Sequence, residues 1–152
     1  MPIRIFVDAD ACPVKDEVYK VAWRTGTPVT LVANSYIRVP RDDLIELVVV
    51  EMDPDAADDH IAEHADAQSI VITADIPLAD RCLKKGSIVL APNGKPFTDA
   101  SIGTALATRS ILQDLRAGGD ILGGPPPFEK RDRSNFLQAL DRAITQLQKR
   151  NS

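Results

Sequence analysis

Apolar residues enter this chain in two alternating kinds of run. Short, almost wholly apolar blocks at Ile3 to Val7, Val29 to Ala33, Leu47 to Val50, Ser69 to Thr73 and Ser87 to Ala91 have the length and composition of strands buried on both faces. Between them, apolar positions recur at helical spacing. The first such stretch runs from about Pro13, with Val14, Val18, Val21 and Ala22 as its stripe and Gly26 as its stop; Pro suits a first helical turn and Gly a helix end. A second begins near Asp53-Pro54 and carries Ala57, Ile61 and Ala65, and a third spans Pro77 to Lys85 and stops at Gly86. Strands separated by helices predict an α/β fold, an open and mostly parallel sheet of about five strands with helices on both faces. Past the Asn93-Gly94 turn the pattern predicts a helix over Asp99 to Ala117. An irregular segment, Gly123-Gly124-Pro125-Pro126-Pro127, then leads to a last helix from about Ser134 with Leu137, Leu140, Ile144 and Leu147 on one face.

Length and composition narrow the class. A chain of 152 residues fits one domain, with a core over 1–118 and a Gly/Pro-rich segment and C-terminal helix over 119–152. Hydrophobic residues at 44% and charged residues at 26% are those of a folded protein. No apolar run approaches the ~20 residues of a membrane helix, and the first residues lack the pattern of a signal peptide. Cys12 and Cys82 form neither a CxxC pair nor a disulfide framework. A cytoplasmic protein without membrane attachment is expected, its oligomeric state left open. Within the net charge of -4, 17 of 22 acids are Asp, a residue of strand ends, caps and turns. Up to Ala107 the chain carries 10 basic and 17 acidic residues, and beyond it 8 basic and 5 acidic, so an acidic body has a basic tail.

The chemistry is sought where open α/β sheets bind ligands, beyond the carboxyl ends of their strands. The first strand delivers Asp8 and Asp10, which extended alternation would point the same way. The second delivers Asn34 and Ser35. The third leads into Asp53, Asp55 and Asp58, and the fourth delivers Asp75, with Asp80 five residues on. Aspartates at several strand ends are the donor set of Mg²⁺ or Mn²⁺, which prefer carboxylate and water oxygens, and such a site suits phosphate chemistry. Asp10, Asp53 and Asp75 also stand where helix caps stand. Lys15 can neutralise the cluster or meet a phosphate, or lie on the surface. His60 and His64 are four apart but do not form a His-Glu-x-x-His motif. Cys12 lies in the negative field of the aspartates, which disfavours a reactive thiolate. There is no Gly-x-Gly-x-x-Gly and no P-loop.

With these residues in place, the sequence resembles the YaiI/YqxD family of uncharacterised bacterial proteins. The resemblance is carried by Val7-Asp-Ala-Asp-Ala-Cys-Pro-Val-Lys15, Asp55-Ala-Ala-Asp58 with Ile61, Ile72-Thr-Ala-Asp75-Ile-Pro-Leu-Ala79, Arg109 and Arg116, Gly123-Gly-Pro125, and Asp132-Arg-Ser-Asn-Phe136. That family looks like a remote branch of the PIN-like nucleases, which cut RNA or DNA with acidic residues holding Mg²⁺ or Mn²⁺. The resemblance implies catalytic and metal-holding roles for Asp8, Asp10, Asp58 and Asp75, with Asp55 and Asp80 as outer metal candidates. It departs from the PIN pattern at Pro77, where a further acid is often found.

The expected activity is thus a metal-dependent phosphodiesterase acting on nucleic acid. Lys15, Asn34, Ser35, Arg109, Arg116, Lys130, Arg131 and Arg133 are the substrate-binding candidates, since an acidic body needs positive charge elsewhere to grip a polyanion. A haloacid-dehalogenase-like phosphatase is the alternative, with Asp8 as nucleophile and Asp75 to Asp80 as its last motif; it lacks the lysine such enzymes need, there being none between Lys20 and Lys84. A non-catalytic nucleic-acid-binding module is the third reading.

Overall fold

The five apolar blocks form one sheet. In the computed structural model, which describes residues 3–50, 55–103 and 128–151, the strands are β1 (Arg4–Asp8), β2 (Val29–Ala33), β3 (Ile45–Val49), β4 (Ser69–Ile72) and β5 (Ile88–Leu90). Every neighbouring pair is parallel and the order is β3-β2-β1-β4-β5. The chain therefore builds outward from β1 to one edge and then crosses back over β1 to build the other half. This places the topological switch point between β1 and β4, where Val7 lies beside Ile72.

Side-chain alternation divides the core into two layers. Ile5 and Val7 of β1, Leu31 of β2 and Ile70 and Ile72 of β4 face one side, against Val14, Val18 and Ala22. Phe6, Val32, Val71 and Val89 face the other, against Ala57, Ile61, Leu78 and Ala79. The first side is covered by α1 (Lys15–Thr25) and the C-terminal helix α4 (Lys130–Asn151), the second by α2 (Ala56–His64) and α3 (Ile76–Lys84). The helical periodicity of α4 has a definite use: Phe136, Leu140, Ile144 and Leu147 are all buried in the cluster that holds Ile5 and Val7. Each such side chain contributes roughly 1.5–3 kcal/mol by leaving water. Among the described residues, no helix is long and apolar enough to cross a membrane.

Local chemistry explains where the elements start and stop. Gly26 ends α1 in the left-handed region, φ 69°, its N–H donating to the Ala22 carbonyl. Gly94, at φ 90°, turns the chain hard against α4; a Cβ there would sit 2.6 Å from the Asn135 carbonyl carbon and oxygen. Several boundaries differ from the sequence expectation, most by a single residue and some by more. α1 starts at Lys15 rather than near Pro13, because residues 9–11 form a separate 3-10 turn. β3 begins at Ile45, pairing beside Val29. α4 starts at Lys130 rather than Ser134: the Glu129 N–H donates to Asp132 Oδ2 at 2.9 Å and the Asp132 N–H donates to the Glu129 carbonyl at 3.0 Å, a reciprocal cap that sets the first turn. Residues 99–103 are helical; the remainder of the helix expected to Ala117, Arg109 and Arg116 upon it, the Gly/Pro segment from Gly123 and Asp53-Pro54 lie outside the described residues.

Candidate functional site

Three elements bring carboxylates to the switch point. β1 ends at Asp8, α2 presents Asp58 in its first turn, and Asp75 caps α3 immediately after β4. Thr73 joins two of them: its hydroxyl donates to Asp8 Oδ2 at 2.9 Å and accepts the Asp75 N–H at 3.0 Å. Asp75 Oδ1 accepts the Leu78 N–H at 2.9 Å. The cap expected of Asp75 is therefore present, and it fixes this carboxylate rather than removing it from the site. Asp8 Oδ1 and Asp75 Oδ2 have no hydrogen-bond partner among the described residues. A cleft of about 260 Å³ opens beside them, lined by Asp8, Cys12, Thr73, Asp75 and Pro92 among others.

The electrostatics show that these acids sense one another. Burial pushes the Asp8 carboxyl above its ordinary value; the Thr73 hydrogen bond opposes this, and the charges of Asp75 and Asp10 add to it. Burial, then the charges of Asp75, Asp8 and Asp55, push Asp58 up to about 6, with Arg81 opposing only weakly. Arg81 is itself bonded to Asp59 at 2.8 Å. Partly buried carboxylates set beside one another hold charge that a cation relieves.

Not every residue expected at the site reaches it in the expected way. Asp10 lies on the 3-10 turn Ala9–Ala11, which breaks the alternation that was to superpose it on Asp8; its carboxylate accepts the Asn34 N–H, at 3.0 and 3.2 Å, and so ties β1 to the end of β2. Asp55 contributes through its field on Asp58. Asp80 is paired with Lys84 at 2.9 Å on the surface of α3. Lys15 donates to the Cys12 carbonyl at 3.2 Å, and Ser35 is exposed beyond β2. Lys130 and Arg131 are exposed on the first turn of α4, Arg131 beside Glu129. Arg133 has a structural position: it donates to the Pro13 carbonyl at 2.7 Å and to the buried Glu17 at 3.2 Å, and stacks over Phe128. His60 and His64 stack on each other, with His64 Nδ1 donating to the His60 carbonyl at 2.7 Å. Cys12 is buried, and burial raises its thiol pKa. Thr73 is the site residue the sequence reading missed. The signal available was a hydroxyl at a strand end two residues before an aspartate.

The donors at the centre are all hard oxygens, as Mg²⁺ or Mn²⁺ require. Among the described residues, no three His, Cys, Asp or Glu side chains are gathered tightly enough to hold one ion between them. Mg²⁺ commonly takes only one or two protein carboxylates and completes its octahedron with water and substrate phosphate, so Asp8 and Asp75, each with one unengaged oxygen, suit that mode.

Residues 6–146 match the uncharacterised YaiI/YqxD family. A UPF0178 protein of Sphingopyxis alaskensis is 66% identical over 146 residues, 95% of each chain. A UPF0178 protein of Rhodopseudomonas palustris is 59% identical over 150 residues, 99% of this chain and 97% of its own. One of Bradyrhizobium diazoefficiens is 56% identical over 149 residues, 98% of this chain and 89% of its own. No solved structure matches the chain. A family match over nearly the whole sequence, with relatives this similar end to end, means that the chain belongs to the YaiI/YqxD family.

Proposed function

We propose that this protein is a cytoplasmic, divalent-metal-dependent phosphodiesterase acting on nucleic acid, with Asp8 and Asp75 holding Mg²⁺ or Mn²⁺ and Asp58 facing them from α2. The observation that carries the reading is the meeting of these carboxylates at the switch point of a parallel sheet, where burial first and neighbouring aspartates second raise the pKa of Asp8 and Asp58. Resemblance to PIN-like nucleases supports the same assignment. Free, buried cysteines suit a reducing compartment.

Thr73 and the Leu78 N–H fix the two carboxylates, so their unengaged oxygens are oriented before substrate arrives. The bound ion supplies an activated water and charge stabilisation on the phosphoryl oxygens. Asp58, on the first turn of α2, adds a third carboxylate that can orient the attacking water. Lys15, bonded to the Cys12 carbonyl, and Lys130 and Arg131 on α4 carry positive charge that can meet the backbone. The phosphatase alternative loses support because Asp80, which it needs at the site, is paired with Lys84.

The test is incubation of labelled single-stranded RNA and DNA with the protein in Mn²⁺, in Mg²⁺ and in chelator. Cleavage of either strand with metal and none with chelator is expected. Intact strands under all three conditions would leave a binding module and overturn the catalytic reading.

A further inference from the structure

A second cleft, about 780 Å³ in volume, lies between α1 and the connection from β2 to β3. α1 lines it with Tyr19, Lys20 and Trp23, which share a face at three- and four-residue spacing, and the connection lines it with Tyr36, Arg38 and Arg41. Two features set it apart from an ordinary surface. Trp23 and Tyr36 are large aromatic residues left 47% and 78% exposed. Tyr19, only 6% exposed, carries a buried hydroxyl with no hydrogen-bond partner among the described residues. Burial, with Asp16 nearby, raises the Tyr19 phenol pKa, so the group stays protonated and can donate. Three cations line this cleft against a single acid, Asp16, on a protein whose net charge is -4.

The connection that lines the cleft leaves the sheet at a strand end. Tyr36 stands two residues after Asn34, whose N–H is bonded to Asp10. Exposed aromatic rings interleaved with Arg and Lys are the chemistry that holds single strands, since every base offers a face to stack and every linkage a phosphate to neutralise. We propose that this cleft receives a single-stranded nucleic acid, with bases stacked on Trp23 and Tyr36 and phosphates met by Lys20, Arg38 and Arg41. The inference rests on the nucleic-acid reading above and adds to it where the strand lies and that it is unpaired.

Trp23 is the only tryptophan in the chain, so its emission reports on this cleft directly. The experiment titrates the full-length protein, in chelator, with an RNA octamer and with the corresponding mononucleotide, and follows Trp23 fluorescence over a salt series. Saturable quenching by the octamer is expected, much tighter than by the mononucleotide. Tyr36→Ala is expected to weaken it by roughly 5-fold to 150-fold, the value of one stacked base. Arg38→Ala with Arg41→Ala is expected to flatten the salt slope by about 1.4, at about 0.7 per phosphate contact on a single strand. All three side chains are exposed, so the variants fold.

Equal binding of octamer and mononucleotide, quenching by inorganic polyphosphate as strong as by RNA, or indifference to Tyr36→Ala overturns the inference. Emission that shifts with protein concentration and not with RNA assigns the face to a second copy and overturns it too. Because the titration is run in chelator, binding is read without hydrolysis, so hydrolysis can fail while binding stands. Cleavage with Mn²⁺ but no quenching leaves hydrolysis standing and removes this cleft from it.

Discussion

Asp75 and Asp80 stand five residues apart on the same helix, and they differ in every respect that matters for chemistry. Asp80 lies on the outer surface paired with Lys84; Asp59 with Arg81 and Asp141 with Arg24 are similar pairs on exposed helix faces. Exposed pairs of this kind are screened by water and salt and contribute little to stability. Asp75 instead sits at the strand ends with Asp8 and Asp58, where no described Lys or Arg forms an ion pair with any of the three. Thr73 holds the Asp8 carboxylate and the Leu78 N–H holds that of Asp75. The difference teaches that hydrogen bonds orient a carboxylate without cancelling its charge, whereas an ion pair does both. Oriented and uncancelled charge is what a metal site needs.

The strongest way to break this comparison is Asp8→Asn. Hydrolysis is expected to fall roughly 100-fold or more, the scale of losing one preorganised charge-stabilising group. The metal-free melting temperature is expected to hold or rise, because the change removes one repelling charge and keeps the shape. Melting with and without Mn²⁺ gives the check. Equal stabilisation of wild type and variant by Mn²⁺ would show that Asp8 is not a ligand.

Thr73→Val probes orientation alone. It removes the hydroxyl that positions Asp8 and receives the Asp75 N–H, and Mn²⁺ affinity measured by calorimetry is expected to drop about 10- to 100-fold. Thr73→Ser restores the hydroxyl and most of the affinity. If Val and Ser behave alike, the hydroxyl does not position the site.

Arg133→Ala tests the other side of the comparison. It strips the buried Glu17 and the Pro13 carbonyl of their donor, and a loss of about 1–3 kcal/mol in urea unfolding is expected with Mn²⁺ affinity unchanged. A variant as stable as wild type would free Arg133 for the substrate role that its sequence position suggested.

The smallest effect is a pH dependence. Asp58 has a folded pKa of about 6 against an ordinary 3.8, so between these values the folded state binds more protons than the unfolded one. Its contribution to metal-free stability is therefore greatest below about pH 4 and is lost as pH rises to about 6. The difference in unfolding free energy between wild type and Asp58→Asn, followed over that window, is expected to carry this slope. A flat difference would mean that Asp58 does not share the field of Asp8 and Asp75.

The strands were legible because each is a nearly unbroken apolar run, which only a doubly covered sheet tolerates, and Gly26 and Gly86 marked the ends of α1 and α3 by the backbone conformation they permit. Asp8 and Asp75 were legible as polar residues directly after such runs. Alternation misled at Asp10, since a 3-10 turn replaced the extended backbone it assumed. Asp80 was read by its spacing from Asp75, but a lysine one turn on decided its partner. The placement of Thr73 depends on register between β1 and β4, which sequence does not contain. Trp23 and Tyr36 are 13 positions apart, and only the crossing of α1 by the β2–β3 connection brings them together.

The docking of α4 has a consequence for how the protein is made. One face of the sheet, with Ile5, Val7, Ile70 and Ile72, is closed in part by Phe136, Leu140, Ile144 and Leu147, which the ribosome adds long after β5 has emerged. At about 5–20 residues per second, the 40 to 60 residues between Leu90 and that stripe take on the order of 2–12 s. Throughout that interval a nascent chain can pair all its strands while one apolar face of the sheet lacks the cover of α4, and a chain stopped before residue 130 lacks that cover for good.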